Sequence, residues 1–346
     1  MNSALSTERT VPTLSVVICA YTLDRWEDLR AAIGSVLVQD PPADEVVLVV
    51  DHNQVLLERA ERELSGVRVV PNQRRRGLSG GRNTGVAVSH ADVVAFLDDD
   101  ATAEPGWTGR LLAPYGDPRV KGVGGFVRPW WVTERPVWFP PEFDWVVGCS
   151  YRGQPLKAAR VRNFIGANMS FRRSELIAVG GFLDALGRVG SRPAASCDET
   201  DLCLRLAARD PEAVLLYEPK AEIRHRVPES RTSWAYFRNR CYIEGLSKAL
   251  VARRCGSGPA LSNERVYVRS VIPRALARNL TRIRRPGALR TIGALSGGVG
   301  ATVTGYLVGS IRPLGIRVFS RRPQGTAEPT TIARSSAAEP TTTAGP

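Results

Sequence analysis

Residues 93–101 read VVAFLDDDA. An apolar run stops on three consecutive aspartates, Asp98, Asp99 and Asp100. The run has no polar alternation, as expected of a strand buried on both faces. Three adjacent carboxylates repel one another, so their place at a strand end calls for a compensating cation. Upstream, LSVVICAY (14–21), EVVLVVD (45–51) and VRVVPN (67–72) read as further strands. Between them, residues 25–38 carry Leu29, Ile33, Val36 and Leu37 at helical spacing, and 53–64 and GLSGGRNTGVAVSH (77–90) also read as helices. Strands that alternate with helices in this way build an α/β fold with an open, mostly parallel sheet flanked by helices. Ligands bind such sheets outside the carboxyl ends of the strands, where Asp51 and Asp98 fall.

The chain has 346 residues with 43% hydrophobic and 23% charged, enough apolar material for a substantial core. Its formal net charge of +13 points to polyanionic partners without choosing among them. Six scattered cysteines include no C-x-x-C pair, which argues against a zinc site or a disulfide framework. MNSALSTERTVPT lacks a basic segment followed by an apolar run, so no signal peptide is expected.

After residue 104 the alternation breaks. Residues 126–145, rich in Trp and Pro, are expected to be irregular. NFIGANMSFRR (163–173) and AVLLYEP (213–219) read as strands, CDETDLCLRLAA (197–208) as a helix start, and 233–253 as helical. The Pro/Thr/Ala-rich residues beyond 320 are expected to be disordered.

A carboxylate cluster at the end of such a strand suits a hard divalent ion, which would in turn hold phosphates. In an extended segment Asp98 and Asp100 share a face and Asp99 opposes them. The plainer alternative is that one aspartate caps a helix near EPGW (104–107) and the others are solvated.

SVVICAYTLDR, VVLVVD, GLSGGRNTGVAVSHADVVAFLDDD, GANMSFRRSELIAVGGF and DETDLCLRL occur in this order over residues 14–250. Together they resemble the family 2 glycosyltransferases with a GT-A (Rossmann-like) fold. The W-W…P-V-W-F-P-P-E-F stretch and YIEGLSK further resemble the dolichyl-phosphate-linked glucuronosyltransferase branch. The resemblance implies an inverting enzyme that moves a sugar from a UDP- or other NDP-sugar to a glycan or polyprenyl-phosphate-linked acceptor, with Mg²⁺ or Mn²⁺. It assigns the metal to Asp98, Asp100 and a late histidine, His225. It places Ala20, Tyr21 and Asp51 around the base, with Asp98 near the ribose and Arg82 near the anionic groups. The family commonly reads VDDGS where this chain has VDHN. It commonly reads Glu-Asp-x-Asp-Leu where this chain has Asp198-Glu199-Thr200-Asp201-Leu202, which makes Glu199 the expected general base with Asp198 beside it. Asn168, Met169, Trp130 and Trp131 are expected on the acceptor side. Two further readings stay open: a sugar nucleotidyltransferase, and a membrane-recruited scaffold that keeps the fold without catalysis.

The implied organisation is an arm at 1–12 and a catalytic domain at 13–255. That domain divides into a nucleotide-binding half (13–104) and an acceptor half (105–255). A basic amphipathic region (256–320) and the tail (321–346) follow. Residues 256–320 hold ten arginines against one acid, Glu264. Arg274, Arg278 and Arg282 recur at helical spacing among Leu276, Leu280 and Ile283, a pattern suited to an anionic membrane surface. TIGALSGGVGATVTGYLVGSI (291–311) is uncharged and long enough to span a bilayer, but carries six glycines. A spanning helix, an interfacial helix and ordinary packing are all open. No nucleic-acid-binding motif accompanies the charge. The expected location is cytoplasmic, peripheral at the inner face of the plasma membrane.

Overall fold

The computed structural model describes residues 11–184, 186–187 and 197–311. The expected arm, apart from residues 11 and 12, and the expected tail lie outside them. The first half follows the sequence reading: β1 (Leu14–Ala20), α1 (Trp26–Leu37), β2 (Glu45–Val50), α2 (Gln54–Glu63), β3 (Arg68–Pro71), α3 (Leu78–Val88) and β4 (Val93–Asp98). The unbroken apolar runs are explained by burial on both faces. Val16, Ile18 and Ala20 of β1 enter one core, while Val17 enters the other. In α1, Leu29, Ile33 and Val36 face the core, but Leu37 falls off that stripe and is exposed. The glycines of α3 let it lie close on the sheet, since a Cβ at Gly85 would overlap Val17.

The second half adds β5 (Ala101–Ala103), α4 (Trp107–Leu112), β6 (Val120–Trp131), β7 (Ala159–Arg160), β8 (Asn168–Arg172), α5 (Arg173–Ala178), α6 (Asp198–Arg209) and β9 (Val214–Val227). The sheet order is β3-β2-β1-β4-β8-β6-β9-β5, with β7 paired to β9. The β3-β2-β1-β4 half is parallel; β8 then runs antiparallel to both β4 and β6, and β6 pairs parallel with β9. Residues 126–131, expected to be irregular, are instead the end of β6. There, Phe126 to Trp131 pair in register with Glu222 to Val227. Proline at 129 and the tryptophans masked this strand, because its register is set by β9 rather than by local pattern.

The C-terminal helices are α7 (Trp234–Cys255), α8 (Ser257–Ala260), α9 (Ser262–Val266), α10 (Ile272–Leu280) and α11 (Ala288–Ile311), with a π turn at Tyr267–Val271. α11 is long and apolar enough to cross a membrane by length and composition. Its glycines form a packing face: a Cβ at Gly305 would overlap Tyr242 O, and one at Gly245 of α7 would overlap Thr302 O. Its other face leaves Leu289, Val303, Leu307 and Ile311 exposed. Of the three regularly spaced arginines, Arg278 turns inward and pairs with the buried Glu142.

Candidate active site

β4 ends at Asp98, and the next two aspartates form the turn into β5. The β5–β9 ladder sets Ala101 opposite His225, which brings the imidazole beside the turn. His225 Nε2 lies 3.2 Å from Asp100 Oδ1. One donor atom from each of Asp98, Asp100 and His225 falls within 4.8 Å of the others. Two carboxylates and an imidazole so close together fit a divalent cation. Asp99 stands outside this group, on a turn rather than the extended segment expected: Arg25 Nη1 donates to it at 2.8 Å and also lies 3.2 Å from Asp100. Burial, then the Asp100 charge, push Asp99 up to about 7 despite that arginine. Burial works against the charge on Asp100 too, but His225, Arg25 and Arg231 hold its carboxyl well below the usual range.

The second acidic group begins α6. Asp198 accepts hydrogen bonds from Ser79 Oγ and Arg82 Nη1, both at 3.0 Å. Arg82 Nη2 donates to Gly166 O at 2.9 Å and lies 3.7 Å from Asp98. With a side chain only 3% exposed, Arg82 therefore links the two acidic groups. Burial, then the neighbouring Asp198, push Glu199 up to about 8. Asp201, one turn on, is spent structurally between Arg205 (2.7 Å) and Arg254 (3.1 Å).

Arg82, Asp98, Asp198, Glu199 and His225 line one cleft of about 540 Å³. Asp51, Ala20 and Tyr21 lie at the neighbouring carboxyl ends of β2 and β1, outside that lining. The buried Asp51 carboxylate accepts from Asn72 Nδ2 (2.6 Å) and Gly77 N (2.9 Å). The unusual VDHN turn is built by His52 in the left-handed region (φ 51°) and by Asn53, whose side chain caps α2.

The expected acceptor-side residues are corrected. Asn168 and Met169 are fully buried within β8. The Asn168 amide accepts from Trp107 Nε1 and donates to Phe126 O and Ala221 O, so it braces strands rather than facing a ligand. Trp130 points to solvent, and Trp131 packs edge-on against Phe139. Neither lines the cleft. Trp145 does, and it donates to Tyr267 Oη at 3.2 Å. Sequence reading also missed Arg25 and Arg231, the latter 3.8 Å from Asp100. It missed the wall supplied by residues 263–271 and 299–303 as well. Arg231 and that wall reach the cleft, and Arg25 reaches the aspartate turn, by long-range packing that leaves no local signature.

Residues 15–180 match the model of Glycosyl transferase family 2. The chain is 36% identical over 242 residues to the glucosyl-dolichyl phosphate glucuronosyltransferase of Haloferax volcanii, covering 69% of this chain and 77% of that one. It is 30% identical over 160 residues to the pre-mycofactocin glycosyltransferase of Mycobacterium tuberculosis, 46% of this chain and 32% of that one. A mannosyltransferase of Pyrobaculum calidifontis, solved with GDP-Man and Mn²⁺, superposes with a TM-score of 0.51 at 17% identity, covering 86% and 88% of the two chains. GalNAc-T7, solved with UDP, GalNAc and Mn²⁺, superposes with a TM-score of 0.50 at 17% identity, covering 67% and 48%.

Proposed function

The chain belongs to glycosyl transferase family 2 and has the GT-A fold, and from that premise we propose an inverting transfer of a sugar from a nucleoside-diphosphate donor to a lipid-linked acceptor. The observation that carries this reading is Arg82, buried between the aspartate turn and the start of α6. Two carboxylate groups joined across one arginine support two different tasks in a single cleft.

On the donor side, Asp98, Asp100 and His225 would hold a divalent ion. The imidazole departs from the all-oxygen set typical of Mg²⁺ and favours Mn²⁺. When bound, such an ion neutralises charge on the departing diphosphate. Arg82 and Arg231 would add fixed positive charge near the same group. Asp51 would accept a hydrogen bond from the base, using lone pairs left free by Asn72 and Gly77. Ala20 and Tyr21 would line the base pocket.

On the other side, Glu199 would take the proton from the acceptor hydroxyl. The freed oxygen attacks the anomeric carbon opposite the leaving diphosphate, whose bond breaks, and the configuration inverts. Asp198, fixed by Ser79 and Arg82, keeps a negative charge beside Glu199 and so raises its basicity. A lipid-linked acceptor is supported by the Haloferax relative's name and by the exposed apolar face of α11, which with exposed Arg274, Arg282 and Arg290 suits peripheral binding to an anionic bilayer.

The test is a panel of nucleoside-diphosphate sugars, each with Mn²⁺, with Mg²⁺ and with chelator, scored for nucleoside diphosphate release. At least one donor is expected to respond, and only with metal. Folded protein that answers no donor would leave the inactive-scaffold reading instead.

A further inference from the structure

The floor of the cleft is charged, but its mouth is not. Val266, Val268 and Val303 line it and are themselves 62%, 49% and 49% exposed. Val271 and Val299, half-buried, continue the apolar lining. All five come from the π turn and the helices around it, α9 and α11. A nucleotide or a free sugar gains nothing from such a file of valines, whereas a hydrocarbon chain gains from every methylene that it buries there.

The wall between valines and floor is cationic. Arg160, Arg162, Arg240 and Lys248 line it, with Glu244 and Glu264 as the carboxylates that the described residues set among them. Those acids are shared: Glu264 takes Arg162 at 2.6 Å and Lys248 at 2.8 Å, while Glu244 takes Lys248 at 3.1 Å and Arg240 at 3.6 Å. Surplus positive charge between an acidic floor and an apolar mouth matches an amphiphile with an anionic group at its neck.

We propose that the C-terminal helices build the acceptor subsite for a single-chain lipid phosphate. Its chain lies along Val266, Val268, Val271, Val299 and Val303, and its phosphate sits against Arg240 and Lys248. This rests on the acceptor half of the reading above and gives it an address. The phosphate would anchor the lipid so that the group it carries reaches Glu199.

The probe is farnesyl phosphate below its micelle concentration, followed through Trp145 fluorescence. Comparisons are geranyl phosphate, farnesol and inorganic phosphate. Farnesyl phosphate is expected to bind saturably and at least tenfold more tightly than each of the three. Val303→Asp and, separately, Val266→Asp should each weaken it at least tenfold, while Val303→Leu should retain it. Val266 is 62% and Val303 49% exposed, and thermal melts report whether each variant folds. Inorganic phosphate binding as tightly as the lipid would reduce the site to an anion site and overturn the proposal. Indifference to chain length, or wild-type affinity in both aspartate variants, would also overturn it. So would a dimer in sedimentation that Val303→Asp dissociates while lipid has no effect, which would make the valines a contact between copies. Mn²⁺-dependent UDP and GDP binding on the same preparation separates the two readings. If a nucleotide binds and the lipid does not, the subsite falls alone; if neither binds, the glycosyl-transfer reading falls with it.

Discussion

Arg82 is the residue on which both halves of the site depend. It is buried and faces Asp198, Asp98 and Gly166 O. Arg82→Ala would leave a buried carboxylate unpaired and should cost about 3–5 kcal/mol in urea unfolding. Arg82→Lys keeps the charge but not the fork of donors, and should lose nucleoside diphosphate release with a smaller loss of stability. Glu199 sets the pH behaviour. Its folded value, about 8, lies above its ordinary 4.5. A base acts only when ionised, so transfer should climb between pH 6 and 8 and level off above. Because folding favours its protonated form, its contribution to stability is full below pH 4.5 and is lost as pH rises through 8. Glu199→Gln should therefore melt with the wild type at pH 4 and a few degrees above it at pH 9. Asp98 and Asp100 could be singled out in the sequence because adjacent acids at a strand end call for a cation, and Glu199 because its segment resembles a family motif. Asn168 was misread: its neighbours matched a family motif, but its amide is consumed by strand-to-strand bonds that only the sheet order reveals.

Among the elements, β1, β2 and β4 could be read directly, since strands buried on both faces show as unbroken apolar runs, whereas β3 is a half-exposed edge strand. β6 could not, because its twelve residues pair with a strand some ninety positions away. α11 was ambiguous for a physical reason: uncharged, glycine-rich helices suit membranes and close helix packing alike. Its glycines now divide by position. Gly305 abuts the α7 backbone, whereas Gly300 has nothing within 4 Å of a new Cβ. Gly300→Ala should raise stability by up to about 1 kcal/mol through helix propensity. Gly305→Ala should lower it by about 1–3 kcal/mol through overpacking, and thermal melts distinguish the two. Equal effects would mean that α7 and α11 do not pack through these glycines.

Across the molecule, charge and apolar surface coincide at the C-terminal helices. Leu280, Ile283 and Leu289 are exposed among Arg282, Arg284, Arg285 and Arg290. The protein should float with vesicles rich in phosphatidylglycerol, not with phosphatidylcholine alone. Raising salt from about 0.1 to 0.5 M should weaken the binding, since screening shortens the reach of each arginine. The composition pointed to a polyanionic partner. It did not foretell that Arg278 would turn inward to Glu142, because that needs the fold of residues 141–147. The central claim is a division of labour across Arg82, with donor and metal on the aspartate side and proton transfer on the α6 side. Titration of nucleoside diphosphate with Mn²⁺ present, in Asp100→Ala and in Glu199→Gln, tests it most directly. The expected result is at least tenfold weaker binding in Asp100→Ala and binding within about twofold of wild type in Glu199→Gln. Equal losses in both variants, or unchanged binding in Asp100→Ala, would contradict it.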